Sequence, residues 1–211
     1  MNPITLTTAQ YLIESMGIAA FAISGVIEAA RRKLDIVGVC VVAGLAAFGG
    51  GTLRDILLDR RPFFWVEHQG QLWFVVALVL ASAFFLRAKH FEPTERAMQW
   101  PDAIGMGLFA AGGAQIALSM GTPALVTAIM GMVTAVFGGV LRDIVCNDIP
   151  KVFSDHRPYA ICAFVGGWVL VACDFFGVPQ WACLLFAAGT ASLLRILAIQ
   201  FDWQIPSWKT D

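Results

Sequence analysis

Charge is what this sequence has least of. Asp, Glu, Lys and Arg make up 14% of its 211 residues, against about 25% in an ordinary soluble domain. The 14 basic and 15 acidic residues leave a net charge of −1, so there is no basic face for nucleic acid. Histidine is scarce, and the five cysteines are Cys40, Cys146, Cys162, Cys173 and Cys183. Their number is odd and no two form a CxxC pair. They read as small buried hydrophobes, not as a disulfide framework or metal site. The sequence has no GxSxG, no HExxH and no phosphate-cradling loop, so neither an enzyme nor a cofactor is expected. Met1-Asn2-Pro3-Ile4-Thr5 puts no Lys or Arg ahead of the first apolar run. That excludes the basic n-region of a cleavable signal peptide, and the first apolar segment is expected to stay as a membrane helix.

What is present is hydrophobic length. Apolar residues make up 58% of the chain and mean hydropathy is +0.73. A helix crosses a bilayer with about 20 apolar residues. Seven stretches qualify: 9–30, 36–58, 71–88, 101–120, 124–146, 159–176 and 180–200. The gaps between them are short and polar or turn-forming. No strand-length alternation suggests a barrel. The expected architecture is a single all-α integral membrane domain over residues 1–211 with seven transmembrane helices.

Loop Lys and Arg orient such a chain. The first loop holds Arg31, Arg32 and Lys33. The third is flanked by Arg87, Lys89 and Arg96, the fifth has Lys151 and Arg157, and the tail has Lys209. Arg60 and Arg61 in the second loop go against this bias. The expectation is a bacterial inner-membrane protein with the N-terminus periplasmic and the C-terminus cytoplasmic. Trp65, Trp73, Trp100, Trp181, Trp203 and Trp208 fall near helix ends, as interfacial anchors do. Trp168 is mid-helix and is expected to pack between helices.

One motif occurs twice. Gly49-Gly50-Gly51-Thr52-Leu53-Arg54-Asp55-Ile56 returns as Phe137-Gly138-Gly139-Val140-Leu141-Arg142-Asp143-Ile144, 88 residues on. The same spacing pairs Gly17 with Gly105, Phe21-Ala22 with Phe109-Ala110, Gly25 with Gly113, and Pro62 with Pro150. Each copy spans three helices, about 9–88 and 101–176, with 180–200 left over. Three is odd, so the second copy enters from the other side of the membrane. The result is a pair of inverted repeats plus a seventh helix.

Opposed insertion puts the intramembrane charges at two depths. Glu14 and Arg54 share the outer half, and Asp102 and Arg142 the inner half, so these are the expected partners. Neighbouring helical residues diverge, so Arg54 is not expected to satisfy Asp55, nor Arg142 Asp143. Those two aspartates are then left to another helix, a loop or a water-filled cavity. A charge at the membrane centre costs about 2.5–3.5 kcal/mol, so it persists where it is paired or lines a pathway. Glycine in a helix costs about 1 kcal/mol relative to alanine. The runs Gly49, Gly50, Gly51 and Gly138, Gly139 therefore read as hinges, with packing notches as the plain alternative. Gly17, Gly25, Gly105, Gly112 and Gly113 read as small residues that let the first and fourth helices approach. His68 and His156 read as solvated loop residues, and Glu28 as a surface partner of Arg31 and Arg32. Arg195, alone in the last helix, either snorkels or pairs with Asp102 or Asp143.

The twin glycine–arginine–aspartate stretches, each followed by a proline (Pro62, Pro150), resemble the signatures of the bacterial trimeric intracellular cation channel family, also catalogued as glycine transporters. Glu14, Asp102, the basic stretch before Asp35 and Leu194-Arg195-Ile196-Leu197 fit as well. The resemblance implies a homotrimer in the lipid bilayer with one pathway per protomer, between the first, second, fourth and fifth helices. Kinks at the paired glycines would gate it. Phe137 stands where bacterial relatives often have a third glycine, which implies a stiffer second hinge. The Lys-Glu-Val stretch through which animal members bind phosphoinositide is absent. The expected function is a channel for monovalent cations, potassium foremost. A secondary transporter of a small zwitterion such as glycine is the alternative, and a scaffold without transport is a third reading.

Overall fold

The computed structural model describes residues 3–85 and 94–206. Arg87, Lys89, Trp208 and Lys209 lie outside the described residues. The chain is helical throughout what is described, in the order α1 (Pro3–Arg31), α2 (Ile36–Leu57), α3 (Phe64–Glu67), α4 (Gly70–Phe85), α5 (Glu95–Ser119), α6 (Ala124–Val145), α7 (Lys151–Ser154), α8 (Ala160–Phe175) and α9 (Gln180–Gln200). Each expected apolar stretch carries a helix. The single-turn helices α3 and α7 sit in what reads from sequence as plain loop.

Boundaries follow local chemistry. The helix that reads as starting at Pro101 begins a turn and a half earlier, where the Thr94 side chain accepts from the Ala97 N–H at 3.1 Å. Pro101 therefore lies inside α5. The Asp35 carboxylate caps α2 by accepting from the Gly38 N–H at 2.7 Å. At the other end of α2, Asp59 adopts φ 50 and the Arg60 N–H closes on the Asp55 carbonyl at 2.8 Å. At the end of α6, Asn147 adopts φ 58 and the Asp148 N–H closes on the Asp143 carbonyl at 2.9 Å. These are matched Schellman endings, and Asp and Asn tolerate the left-handed conformation they require.

Four helices combine the length and hydropathy of a membrane span among the described residues: Thr8–Arg31 within α1, α2, α6 and α9. The 16-residue α4 and α8 are shorter, about 24 Å each at the helical rise. α5 is less apolar for a different reason. Nearly every residue from Met98 to Ala117 is buried, against α1, α6, α8 and α9, so the helix meets other helices on all sides. A helix packed in protein does not need a lipid-compatible surface.

α1, α2, α6 and α5 form a closed ring, each packed on the next. α4 lies against α1 and α2, while α8 and α9 cover α5 and α6. Trp73, Trp100, Trp181 and Trp203 are all exposed near helix ends. Trp168 is not packed between helices. It is 39% exposed on the outer face of α8, because Gly167 beside it takes the contact with α6, where a Cβ would come within 2.8 Å of the Ala128 backbone.

Candidate functional site: two buried charge clusters in the helix ring

The ring holds two buried charge clusters, one toward each end. In the first, Arg54 Nη1 donates to Glu14 Oε1 at 2.5 Å and Arg54 Nε donates to Asp55 Oδ1 at 2.9 Å. In the second, Arg142 Nη1 donates to Asp102 Oδ1 at 2.5 Å and Arg142 Nε donates to Asp143 Oδ1 at 2.9 Å. All six side chains are buried. The Glu14–Arg54 and Asp102–Arg142 contacts expected from depth are present. The expectation that each arginine would miss its neighbouring aspartate is wrong. Both arginines lie in the last turns of α2 and α6, and their long side chains let Nε reach the adjacent carboxylate.

Asp55 and Asp143 also use the loops that follow them. Asp55 Oδ2 accepts the backbone N–H of Phe64 at 3.0 Å, and Asp143 Oδ2 accepts that of Lys151 at 2.9 Å. Phe64 and Lys151 open α3 and α7. An acidic oxygen at such a helix start satisfies a donor that has no intrahelical partner. Each cluster therefore ties a helix end to the short helix beyond it. The second cluster carries two carboxylates to one guanidinium, so ionised it is one negative charge in excess, whereas in the first Arg60 also reaches Asp55, at 3.6 Å, and balances the two carboxylates.

The two clusters differ in their other hydrogen-bonding side chains. Asp102 Oδ2 accepts from the Tyr159 hydroxyl at 2.7 Å, and Arg142 Nη1 donates to the Ser24 hydroxyl at 2.6 Å. Positions 88 residues from Ser24 and Tyr159 are Gly112 and Gln71. Gln71 is turned to Tyr11 and Ser15, at 3.0 and 2.6 Å from its Nε2. Sequence reasoning missed Ser24 and Tyr159. Hydroxyl residues occur everywhere, and these break the repeat pattern that singled out the other charges.

The glycines divide their work. A Cβ on Gly50 would lie 2.0 Å from the Thr134 carbonyl oxygen, and one on Gly138 would lie 2.2 Å from that of Ala46. α2 and α6 thus cross backbone to backbone, and only glycine fits at the two contacts. Gly49 faces Leu141 on an outer, apolar groove of about 400 Å³ between α2, α6, α3 and α4. Gly51 and Gly139 face Arg54 and Arg142 at ordinary contact distances. Gly17 and Gly105 receive Phe109 and Phe21 across the α1–α5 contact. Gly25 and Gly113 do not serve that contact. They meet Ala43 on α2 and Thr134 on α6.

Beyond the second cluster lies a polar cavity of about 500 Å³, lined by Arg31, Arg32, Glu95, Asp148, Lys151, Asp155 and Arg157 among others. Glu28 holds Arg31 at 2.6 Å and Arg32 at 3.2 Å; the acid is buried, while both of its partners stay partly exposed. Arg32 also pairs with Asp148, and Lys151 with Glu95 at 3.2 Å. Arg195 reaches neither Asp102 nor Asp143. It pairs with Asp155 at 2.9 Å, donates to the Pro158 carbonyl at 3.1 Å and lies over the Tyr159 ring at 4.7 Å. Its length carries the charge from α9 to the α7–α8 loop. Burial raises the Asp155 pKa, but hydrogen bonds from Arg157 and Arg195 outweigh it and hold the carboxyl below the usual range. His156 is exposed, but His68 is not simply solvated: it stacks on Phe64 at 4.7 Å and meets Tyr11 at 5.1 Å.

The family described as glycine transporter matches residues 11–89 and 99–174. The UPF0126 inner membrane protein YadS of Escherichia coli strain K12 is 32% identical over 95% of this chain and 97% of its own. The trimeric intracellular cation (TRIC) channel orthologue from Rhodobacter sphaeroides superposes with a TM-score of 0.85 at 32% identity, covering 93% of this chain and 100% of that one. A further TRIC cation channel, solved to explain conductance, superposes with a TM-score of 0.82 at 33% identity over 95% of this chain and 97% of that one.

Proposed function

The chain belongs to the glycine transporter family of membrane proteins, whose solved structural neighbours are TRIC cation channels, and from that premise we propose that it is a channel for monovalent cations, potassium foremost. Seven helices, α1, α2, α4, α5, α6, α8 and α9, cross the bacterial inner membrane as two inverted repeats and a seventh helix. The N-terminus is periplasmic and the C-terminus cytoplasmic. Three copies assemble, and each carries its own pathway through the ring of α1, α2, α5 and α6. Bending at Gly49, Gly50, Gly51 and at Gly138, Gly139 opens and closes it.

The observation that carries this reading is the pair of buried clusters, Glu14–Arg54–Asp55 and Asp102–Arg142–Asp143, at opposite ends of one helix ring. An ionisable group inside a membrane bundle faces its interior and marks a pathway. The surplus carboxylate of the second cluster favours a cation over an anion at that end, while the first cluster, with Arg60 on Asp55, is balanced. A partly hydrated cation exchanges some of its waters for such oxygens.

The family description favours a second reading, in which the same ring carries glycine by alternating access. Reconstitution of the purified protein, with current recording across potassium, sodium and glycine gradients, separates the two. Unitary currents that reverse at the potassium equilibrium potential support the channel. Saturable counterflow of glycine without conductance overturns it.

A further inference from the structure

One face of α1 carries Glu14, Gly17, Phe21 and Gly25 at helical spacing. Glu14 belongs to the first charge cluster, and Ser24, one turn beyond Phe21, bonds Arg142 of the second. α5 repeats the order in the opposite direction. Asp102 belongs to the second cluster, Phe109 follows, and a Cβ on Gly112 would lie 3.8 Å from the Glu14 side chain. On both helices a phenylalanine stands between the two clusters, seven residues, or about 10 Å, from its own carboxylate.

The two rings meet there. Phe21 and Phe109 stack with centroids 5.2 Å apart and planes 22° from parallel. Phe21 is fully buried and Phe109 is 3% exposed. Each ring presses on the other helix's glycine: a Cβ on Gly105 would lie 2.8 Å from Phe21, and one on Gly17 would lie 2.6 Å from Phe109. Around the rings Ala43, Ala46, Met106, Ala110 and Ala135 complete an apolar cluster. On the far side of the ring the α2–α6 crossing at Gly50 and Gly138 brings the two backbones into contact.

We propose that the stacked Phe21–Phe109 pair is the closed barrier of the pathway, a dry apolar layer that separates the two charged clusters and excludes water until the rings part. This rests on the reading of the α1, α2, α5 and α6 ring as the pathway. An apolar constriction blocks ions because it cannot replace their hydration shell, and it gates by wetting and drying. Each charged cluster is then a waiting position, and passage from one to the other requires that the stack be broken. Because the two rings come from α1 and α5, a relative shift of those helices is enough to unstack them.

Osmotic water permeability of proteoliposomes, read by stopped-flow light scattering, tests the barrier whichever solute the protein carries. Phe21→Ala with Phe109→Ala is expected to raise water permeability several-fold over the wild-type protein, and each single substitution to give a similar, smaller rise. Phe21→Trp is expected to give no rise. Should the double alanine variant not purify as a monodisperse protein, Phe21→Leu with Phe109→Leu keeps the core apolar and is expected to raise permeability less. A folded double variant with wild-type water permeability overturns the barrier. The same vesicles report potassium flux and glycine uptake separately. Raised water permeability with neither solute moving would count against the proposed function while leaving the barrier in place.

Discussion

Arg54 of α2 is joined to Glu14 of α1 by a 2.5 Å ion pair with both side chains almost wholly buried. Arg54 also holds Asp55, so removing Arg54 strands buried carboxylate charge, at a cost of about 3–5 kcal/mol, whereas removing Glu14 leaves Arg54 still paired. Arg54→Gln is expected to destabilise the detergent-solubilised protein strongly and Glu14→Gln less, with the double substitution costing less than the sum. Denaturant unfolding of the four proteins in a double-mutant cycle checks this. Additive effects would mean that the contact contributes nothing to folding.

The three adjacent glycines of α2 are expected to respond differently to alanine. At Gly50 the new Cβ meets the Thr134 carbonyl at 2.0 Å, so α2 and α6 must separate. Overpacking of this kind costs about 1–3 kcal/mol, and Gly50→Ala is expected to lower the thermal midpoint. At Gly51 the nearest atom is Arg54 Nη2 at 3.8 Å. Gly51→Ala therefore fits, and on helix propensity alone it gains up to about 1 kcal/mol. If Gly51 bends during transport, the same substitution lowers potassium flux in a protein that is no less stable. Unchanged flux in that variant would exclude Gly51 as a hinge.

Tyr159 donates a hydrogen bond to the buried Asp102 carboxylate. A hydrogen bond to a charged group contributes about 1.5–3 kcal/mol, so Tyr159→Phe is expected to destabilise by an amount in that range. Gln71→Leu, 88 residues earlier, breaks bonds to Tyr11 and Ser15 that involve no charge, and the expected loss is smaller. Thermal unfolding of both variants decides the order.

Asp155 gives the α7–α8 loop an acid limit. Its folded pKa lies below the ordinary value because hydrogen bonds from Arg157 and Arg195 outweigh the effect of burial. A group with a depressed folded pKa stabilises the fold above its unfolded pKa, about 3.9 for Asp, and that contribution is lost as pH falls through the folded value. Thermal midpoints of the wild-type protein and Asp155→Asn are expected to differ at pH 7 and to converge toward pH 3. A constant difference across that range would remove Asp155 as the source.

The sequence by itself determined that the chain is helical, roughly where its seven long helices lie, and which charges are paired across the ring. Apolar runs longer than 16 residues leave the backbone little choice in lipid. The 88-residue recurrence of Arg54 and Asp55 as Arg142 and Asp143 singles out both clusters from spacing alone. What it left undecided depended on direction. Whether Arg54 reaches Asp55 turns on how a long side chain curls at a helix end. Whether Arg195 finds Asp155 turns on where the α7–α8 loop passes over α9. Tyr159 and Ser24 join the second cluster only because α8 and α1 bring their hydroxyls to it, and no local pattern announces that. The glycine run read as one feature along the chain, yet its members face three directions, because successive helical residues are about 100° apart around the axis. Tertiary structure made Gly50 a contact between backbones, gave Gly51 to Arg54, and brought Phe21 and Phe109 face to face between the two clusters.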